Sequence, residues 1–139
     1  MTQNSQDHLE HQLNLPERID ANLPKGMAAW SITSEIQERA AQKGFEWPDV
    51  GPVLSKILEE HRELEEAVDL GDHKKIESEL GDLLFIVLKA AKFLGIDPEE
   101  ALNLTNRKFA KRFQHVEKHR QSKSLEEMMS LWKQAKSME

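Results

Sequence analysis

Residues 52–94 read PVLSKILEEHRELEEAVDLGDHKKIESELGDLLFIVLKAAKFL, and their periodicity decides the fold. Val53, Leu54, Ile57, Leu58, Leu64, Ala67 and Val68 recur at helical spacing. They predict a helix from near Pro52 to Leu70, stopped at Gly71, where a left-handed cap is easiest. A second helix then runs from Asp72 or His73 to Leu94, with Gly95 just beyond it. A connection this short folds the two back as an antiparallel hairpin. The second half of that second helix, LLFIVLKAAKFL, is apolar nearly all round, and a helix without a polar face must be enclosed by neighbours. In so small a chain that points to an oligomer interface, a homodimer or a dimer of dimers.

Outward from the hairpin the pattern stays helical. Upstream, Ile32, Ile36, Ala40 and Ala41 share one face of a helix that starts at Ala28 and stops at Gly44. The loop GFEWPDVGP, punctuated by Gly44, Pro48, Gly51 and Pro52, follows it, and Trp47 reads there first as a structural anchor of the loop, with a ligand contact as the alternative. Downstream, Asp97-Pro98-Glu99-Glu100 is a helix start, with a capping carboxylate and proline in the first turn, and the helix extends to about Arg120. Ser124 with Glu127 repeats the capping pattern before a last helix, Leu125 to about Ser137. The expected architecture is all-α, a bundle of about five helices without a strand. Residues 1–27 are polar, carry Pro16 and Pro24 and show no sustained period, so they read as an arm, and residues 28–139 as the folded domain.

Composition agrees. The 139 residues fit one domain, and the absence of cysteine removes disulfides, thiolate metal sites and cysteine nucleophiles. Aromatics at 6%, without tyrosine, argue against a sandwich or barrel. A net charge of −6 argues against nucleic acid or an acidic membrane surface as a partner of the whole molecule. There is no apolar run long enough to span a bilayer and no signal-peptide pattern at the amino terminus, so a cytoplasmic protein is expected.

The chemistry concentrates in acidic pairs. Glu59, Glu60 and Glu63 form EExxE on the first helix of the hairpin, and Glu79 with Asp82 forms ExxD on the second. Residues three apart lie on one helical face, so Glu60–Glu63 and Glu79–Asp82 can meet across the hairpin. Carboxylates about 5 Å apart repel by roughly 3 kcal/mol per pair at an effective dielectric of 20. A hard divalent cation relieves that, and an all-oxygen ligand set suits magnesium or manganese. Taken by pattern alone, the same residues read equally well as an ordinary acidic helix face.

EExxE, fifteen residues and then ELGDLLF resemble the all-α nucleoside triphosphate pyrophosphohydrolases of the MazG type. The stretches IQERAAQKGFEWPDVGPVLSKILEE, GIDPEEALNLTNRKFAKRFQHVE and SLEEMMSLWKQAK resemble the same family in the same order, so the likeness covers about residues 30–137. It implies hydrolysis of a nucleoside triphosphate between the α and β phosphorus atoms, with Mg²⁺, or Mn²⁺ in its place, to give the monophosphate and pyrophosphate. Removal of noncanonical or surplus nucleotides is the implied task. The resemblance also implies Glu60, Glu63, Glu79 and Asp82 as metal ligands and Glu59 as the carboxylate that orients or deprotonates water. Asn106, Lys108 and Arg112, with Trp132 and Lys136 from the last helix, are the implied nucleotide contacts, and Lys56 is a further candidate. Arg107, Lys108, Lys111 and Arg112 form a cationic cluster in an acidic chain, with Lys108 and Arg112 one turn apart.

Other readings of the same residues stand beside these. Phe109 and Phe113 read as core, and His115 and His119 as surface residues, because HVEKH lacks the glutamate that a zinc-protease helix places after its first histidine. A phosphoribosyl-ATP pyrophosphohydrolase would keep the fold and change the substrate. A noncatalytic helical adaptor would use the basic helix to bind a phosphorylated or nucleic-acid partner.

Overall fold

A computed structural model of the chain describes residues 18–23, 25–119 and 124–139. Five α-helices account for most of them, and there is no strand among the described residues: α1 Ala29–Gln42, α2 Val50–Leu70, α3 His73–Phe93, α4 Pro98–Lys118 and α5 Leu125–Ser137. The chain divides into two compact units, one reaching to Gly95 and the other from Ile96 to Glu139. Most of the expected polar arm, including Pro16 and Pro24, lies outside the described residues. The part that is described is tied to α1, since Arg39 Nη1 donates to the carbonyls of Ile19 (3.0 Å) and Ala21 (2.5 Å).

Helix boundaries follow local chemistry. At the end of α1, Gly44 sits at φ 92°, its N–H bonds to the Ala41 carbonyl and the Phe45 N–H reaches back to Ala40, a Schellman closure. Helix α2 begins at Val50, two residues before the expected start near Pro52, because the Asp49 carboxylate accepts from Gly51 N at 2.9 Å. Pro52 is accommodated in the first turn, where no intrahelical donor is needed. Gly71, at φ 67°, closes α2, and Asp72 at once caps α3 by accepting from Lys75 N. Asp97 and Ser124 cap α4 and α5, as their sequence signals predict.

The core of the first unit is where α2 and α3 face each other. Val53, Ile86 and Ala90 are buried, with Ile57, Leu83 and Phe93 packed against them. Helix α1 joins through Gln37, whose Nε2 donates to the Phe85 carbonyl at 2.9 Å. The apolar half of α3 is not enclosed within one chain: Leu84 is 58% exposed, and Phe85 and Val87 are exposed beside it. In the second unit Val116 and Ala135 are buried, and the rings of Phe109 and Trp132 meet at 4.8 Å. Phe109 and Phe113 stack at 5.9 Å but remain exposed, so they are not the core residues their spacing predicts; in a unit of two helices little surface is available to cover them. No helix among the described residues is long and apolar enough to cross a membrane.

Candidate metal and nucleotide site

The hairpin brings three of the expected carboxylates together. Glu60 on α2 and Glu79 and Asp82 on α3 each present an oxygen, and these oxygens lie within 4.8 Å of one another. Glu60 is only 6% exposed, Glu79 is half-buried and Asp82 is open to solvent, so the cluster runs from the interior to the surface. Glu63 stands beside the three. Hydrogen bonding to Glu60 and then to Glu79 pushes its carboxyl up to about 7, well above the usual carboxylate range.

Glu60 Oε2 and Glu79 Oε2 are buried and receive no donor from the protein. A buried oxygen without a donor is costly, and a second such oxygen facing it raises that cost. Two agents can relieve it: a proton carried by Glu63, or a cation shared by all the carboxylates. The donor set is oxygen only, partly anionic and arranged around an open side, which suits a hard divalent ion. The residues present therefore fit such an ion.

Lys56 is the local cation. Its Nζ lies 3.0 Å from Glu59 Oε1 and 3.2 Å from Glu60 Oε1, and the two carboxylates, Glu59 foremost, raise its pKa. Glu60 is thus held by one oxygen while its other faces the cluster. Glu59, one residue earlier and about 100° round the helix, is exposed.

In the second unit the expected nucleotide contacts lie on α4 and α5. Asn106, Lys108, Lys111 and Lys136 are exposed. Arg112 makes a two-pronged bond to Glu139, Nε to Oε1 at 3.0 Å and Nη2 to Oε2 at 2.9 Å, and its guanidinium lies 5.7 Å from the centre of the Trp132 ring. Arg112 first, then Lys111 and Lys108, hold the Glu139 carboxyl below its ordinary value. This face therefore already takes an oxyanion. The His115 and His119 rings meet in a tilted arrangement at 4.6 Å, with ring nitrogens on Gln134 and on a backbone carbonyl, and neither is among the residues that form the carboxylate cluster.

Sequence reasoning missed Lys89 and Glu46. Lys89 is buried on α3 and its Nζ meets Glu46 Oε2 at 2.5 Å, fastening the loop between α1 and α2 to the helix that carries Glu79 and Asp82. The signal was present: a lysine inside an otherwise apolar helical run must find a counter-charge. Trp47 is not the anchor its sequence context predicts, since it is exposed and Glu46 does the fastening.

Residues 52–117 match the family model described as the MazG nucleotide pyrophosphohydrolase domain. The chain is 46% identical over 89 residues to a nucleoside triphosphate pyrophosphohydrolase/pyrophosphatase MazG of Thermotoga maritima, covering 64% of this chain and 34% of that protein. It is 36% identical over 127 residues to a nucleoside triphosphate pyrophosphohydrolase of Escherichia coli, covering 85% of this chain and 48% of that protein. A Bacillus subtilis protein, YabN, is 41% identical over 71 residues, 46% of this chain and 14% of its own length. The chain thus spans about half the length, or less, of the curated relatives it matches. The matched segment contains Glu59, Glu60, Glu63, Glu79 and Asp82 together with Lys108 and Arg112, and with it the chain carries a domain of the MazG nucleotide pyrophosphohydrolase family.

Proposed function

We propose that this chain is a Mg²⁺-dependent nucleoside triphosphate pyrophosphohydrolase that releases pyrophosphate and a nucleoside monophosphate, with Mn²⁺ able to replace Mg²⁺. The observation that carries the reading is the convergence of Glu60, Glu79 and Asp82 with two donorless buried oxygens. The names of the Thermotoga and Escherichia relatives support it. Glu60, Glu79 and Asp82 would hold the ion, with Glu63 joining once it gives up its proton. A divalent ion bound there supplies charge neutralisation at the phosphate oxygens and lowers the pKa of water.

The remaining steps fall to the protein's own groups. Lys56 fixes Glu59 through Oε1, and Oε2 is the atom that takes the proton from the water attacking the α-phosphorus. The bond to the β-phosphate oxygen breaks, and pyrophosphate leaves with that electron pair. Asn106, Lys108 and Arg112, with Trp132 and Lys136, contact the nucleotide. The Arg112–Glu139 fork supports this role, because a guanidinium that grips a carboxylate by two bonds has the geometry to grip a phosphate. The exposed apolar face of α3, Leu84 with Phe85 and Val87, supports assembly as a homodimer or a dimer of dimers, and the substrates proposed are nucleotides of the cytoplasm.

The test is incubation with Mg²⁺ and a panel of common, damaged and phosphoribosyl-modified triphosphates, with the leaving group identified. Pyrophosphate is expected, and its release should vanish in Glu60→Gln. Orthophosphate as sole product would refute the assigned bond. A preference for phosphoribosyl-ATP would move the substrate, and magnesium-independent, salt-sensitive binding without any product would favour the adaptor.

A further inference from the structure

We propose that His115 and His119 form a two-imidazole clip for a borderline-soft divalent ion of the Zn²⁺ class at the carboxyl end of α4; the site shares no residue with the carboxylate cluster and does not rest on the hydrolase reading. The two rings stand one helical turn apart, with their centres 4.6 Å from each other and their planes tilted by 55°. Two nitrogens bound to one tetrahedral ion at about 2.0–2.1 Å lie about 3.3 Å apart. Rings this close reach that separation by turning about their side-chain bonds, with the helix left as it is.

Hydrogen bonds decide which nitrogen each ring offers. His119 Nδ1 donates to the His115 backbone carbonyl at 2.8 Å, and His115 Nε2 donates to Gln134 Oε1 on α5 at 3.4 Å. Carbonyl oxygens only accept, so each neutral imidazole spends its one N–H there and keeps the lone pair of its other nitrogen. Those are Nδ1 of His115 and Nε2 of His119, and neither has a hydrogen-bond partner among the described residues. Metal-binding histidines have this same arrangement, one nitrogen for the ion and the other anchored on an oxygen.

The surroundings favour coordination over charge. His119 is the C-cap of α4, where unpaired carbonyls give the helix end a partial negative charge, and Glu117 adds to it. Lys111, one turn before His115, and Lys118 oppose it. With these charges set against each other, a hard ion such as Mg²⁺ gains little here, while imidazole nitrogen suits Zn²⁺, Ni²⁺ and Cu²⁺. HVEKH lacks the glutamate that serves hydrolysis on zinc-protease helices, so the clip is a staple and not a second catalytic centre. An ion held there fixes the His115 ring and, through Gln134, ties the end of α4 to α5.

Cu²⁺ electron paramagnetic resonance and Zn²⁺ calorimetry on the full chain test this, with Mg²⁺ in excess to occupy the carboxylates. A copper spectrum split by two nitrogens is expected, and His115→Ala and His119→Ala should each remove that splitting. Gln134→Ala, which removes an anchor and no ligand, should weaken Zn²⁺ about tenfold, and each histidine change should weaken it more. Both histidine variants should keep the helical circular dichroism and Mg²⁺-dependent pyrophosphate release, so failure of this site and failure of the hydrolase reading are told apart. His119 is exposed, so His119→Ala decides the matter if His115→Ala does not fold. A copper spectrum unchanged in His119→Ala would put the nitrogen ligands at His8, His11, His61 or His73 and overturn the proposal. So would Zn²⁺ binding that is weakened by Glu60→Gln and by neither histidine change.

Discussion

The two helical hairpins handle charge in opposite ways. Between α2 and α3, carboxylates face carboxylates, and two buried oxygens have no donor. Between α4 and α5, the most enclosed cation already has its anion, Arg112 on Glu139. The first arrangement is held under electrostatic stress that a cation would relieve, while the second is at rest and would have to exchange one partner for another to bind a phosphate. The difference teaches that ligand binding should stabilise the first hairpin and merely compete within the second.

The sharpest way to break the contrast is to neutralise the stressed side. Glu60→Gln or Glu79→Gln should cut pyrophosphate release at least about a hundredfold, the upper end of what even outer-shell changes cost at metal sites. The metal-free variant should nevertheless melt no lower than the unaltered chain, because a like charge has been removed. A fall in both activity and metal-free Tm would mean that the carboxylates are structural.

The clip between loop and helix should come next. Lys89→Met removes a buried ammonium from a half-exposed Glu46 and should cost about 1–3 kcal/mol in denaturant unfolding, between the values for a broken hydrogen bond and a fully buried pair. No comparable loss is expected from Lys92→Met, since Lys92 and its partner Glu38 are both only part-buried.

Proton competition sharpens the comparison further. Glu63, with its folded pKa raised to about 7, binds more protons folded than unfolded between its ordinary value and 7. Stability gained from that proton is present at lower pH and is lost as pH rises through 7. Metal-free protein should therefore have a lower Tm at pH 8 than at pH 6, and Mg²⁺ should restore it most at pH 8, where Glu63 has given up its proton. A Glu63→Gln protein should lose this pH dependence in a thermal scan.

The smallest effect belongs to the resting hairpin. Glu139→Gln frees Arg112 from a part-exposed pair and should lower KM for a triphosphate by about two- to fivefold, the scale of an ion pair near the surface, with kcat unchanged. A rise in KM would show that Glu139 positions Arg112 for the substrate instead.

The helices, their caps and the facing acidic pairs were legible in the sequence, because periodicity, Gly71, Asp97 and Ser124 are local signals. The start of α2 was displaced because Asp49 caps two residues ahead of the proline that draws attention. What could not be read was tertiary. That Glu46 would close on Lys89, so that the loop hangs from α3 by an ion pair and leaves Trp47 exposed, depends on helices α1 and α3 lying side by side. The state of Glu63 likewise depends on distances across the hairpin that spacing alone does not give.

Gly71 ends α2 and Asp72 starts α3 with no residue to spare. A linkage that tight behaves like a gear with fixed teeth. One inserted residue on either side would turn the following acidic positions by about 100° and advance them by about 1.5 Å, carrying Glu79 and Asp82 off Glu60. Changes in length at this corner are therefore tolerable only if they arrive in numbers that restore the same phase, and shuffled or lengthened versions of the hairpin can be sorted in advance by that count.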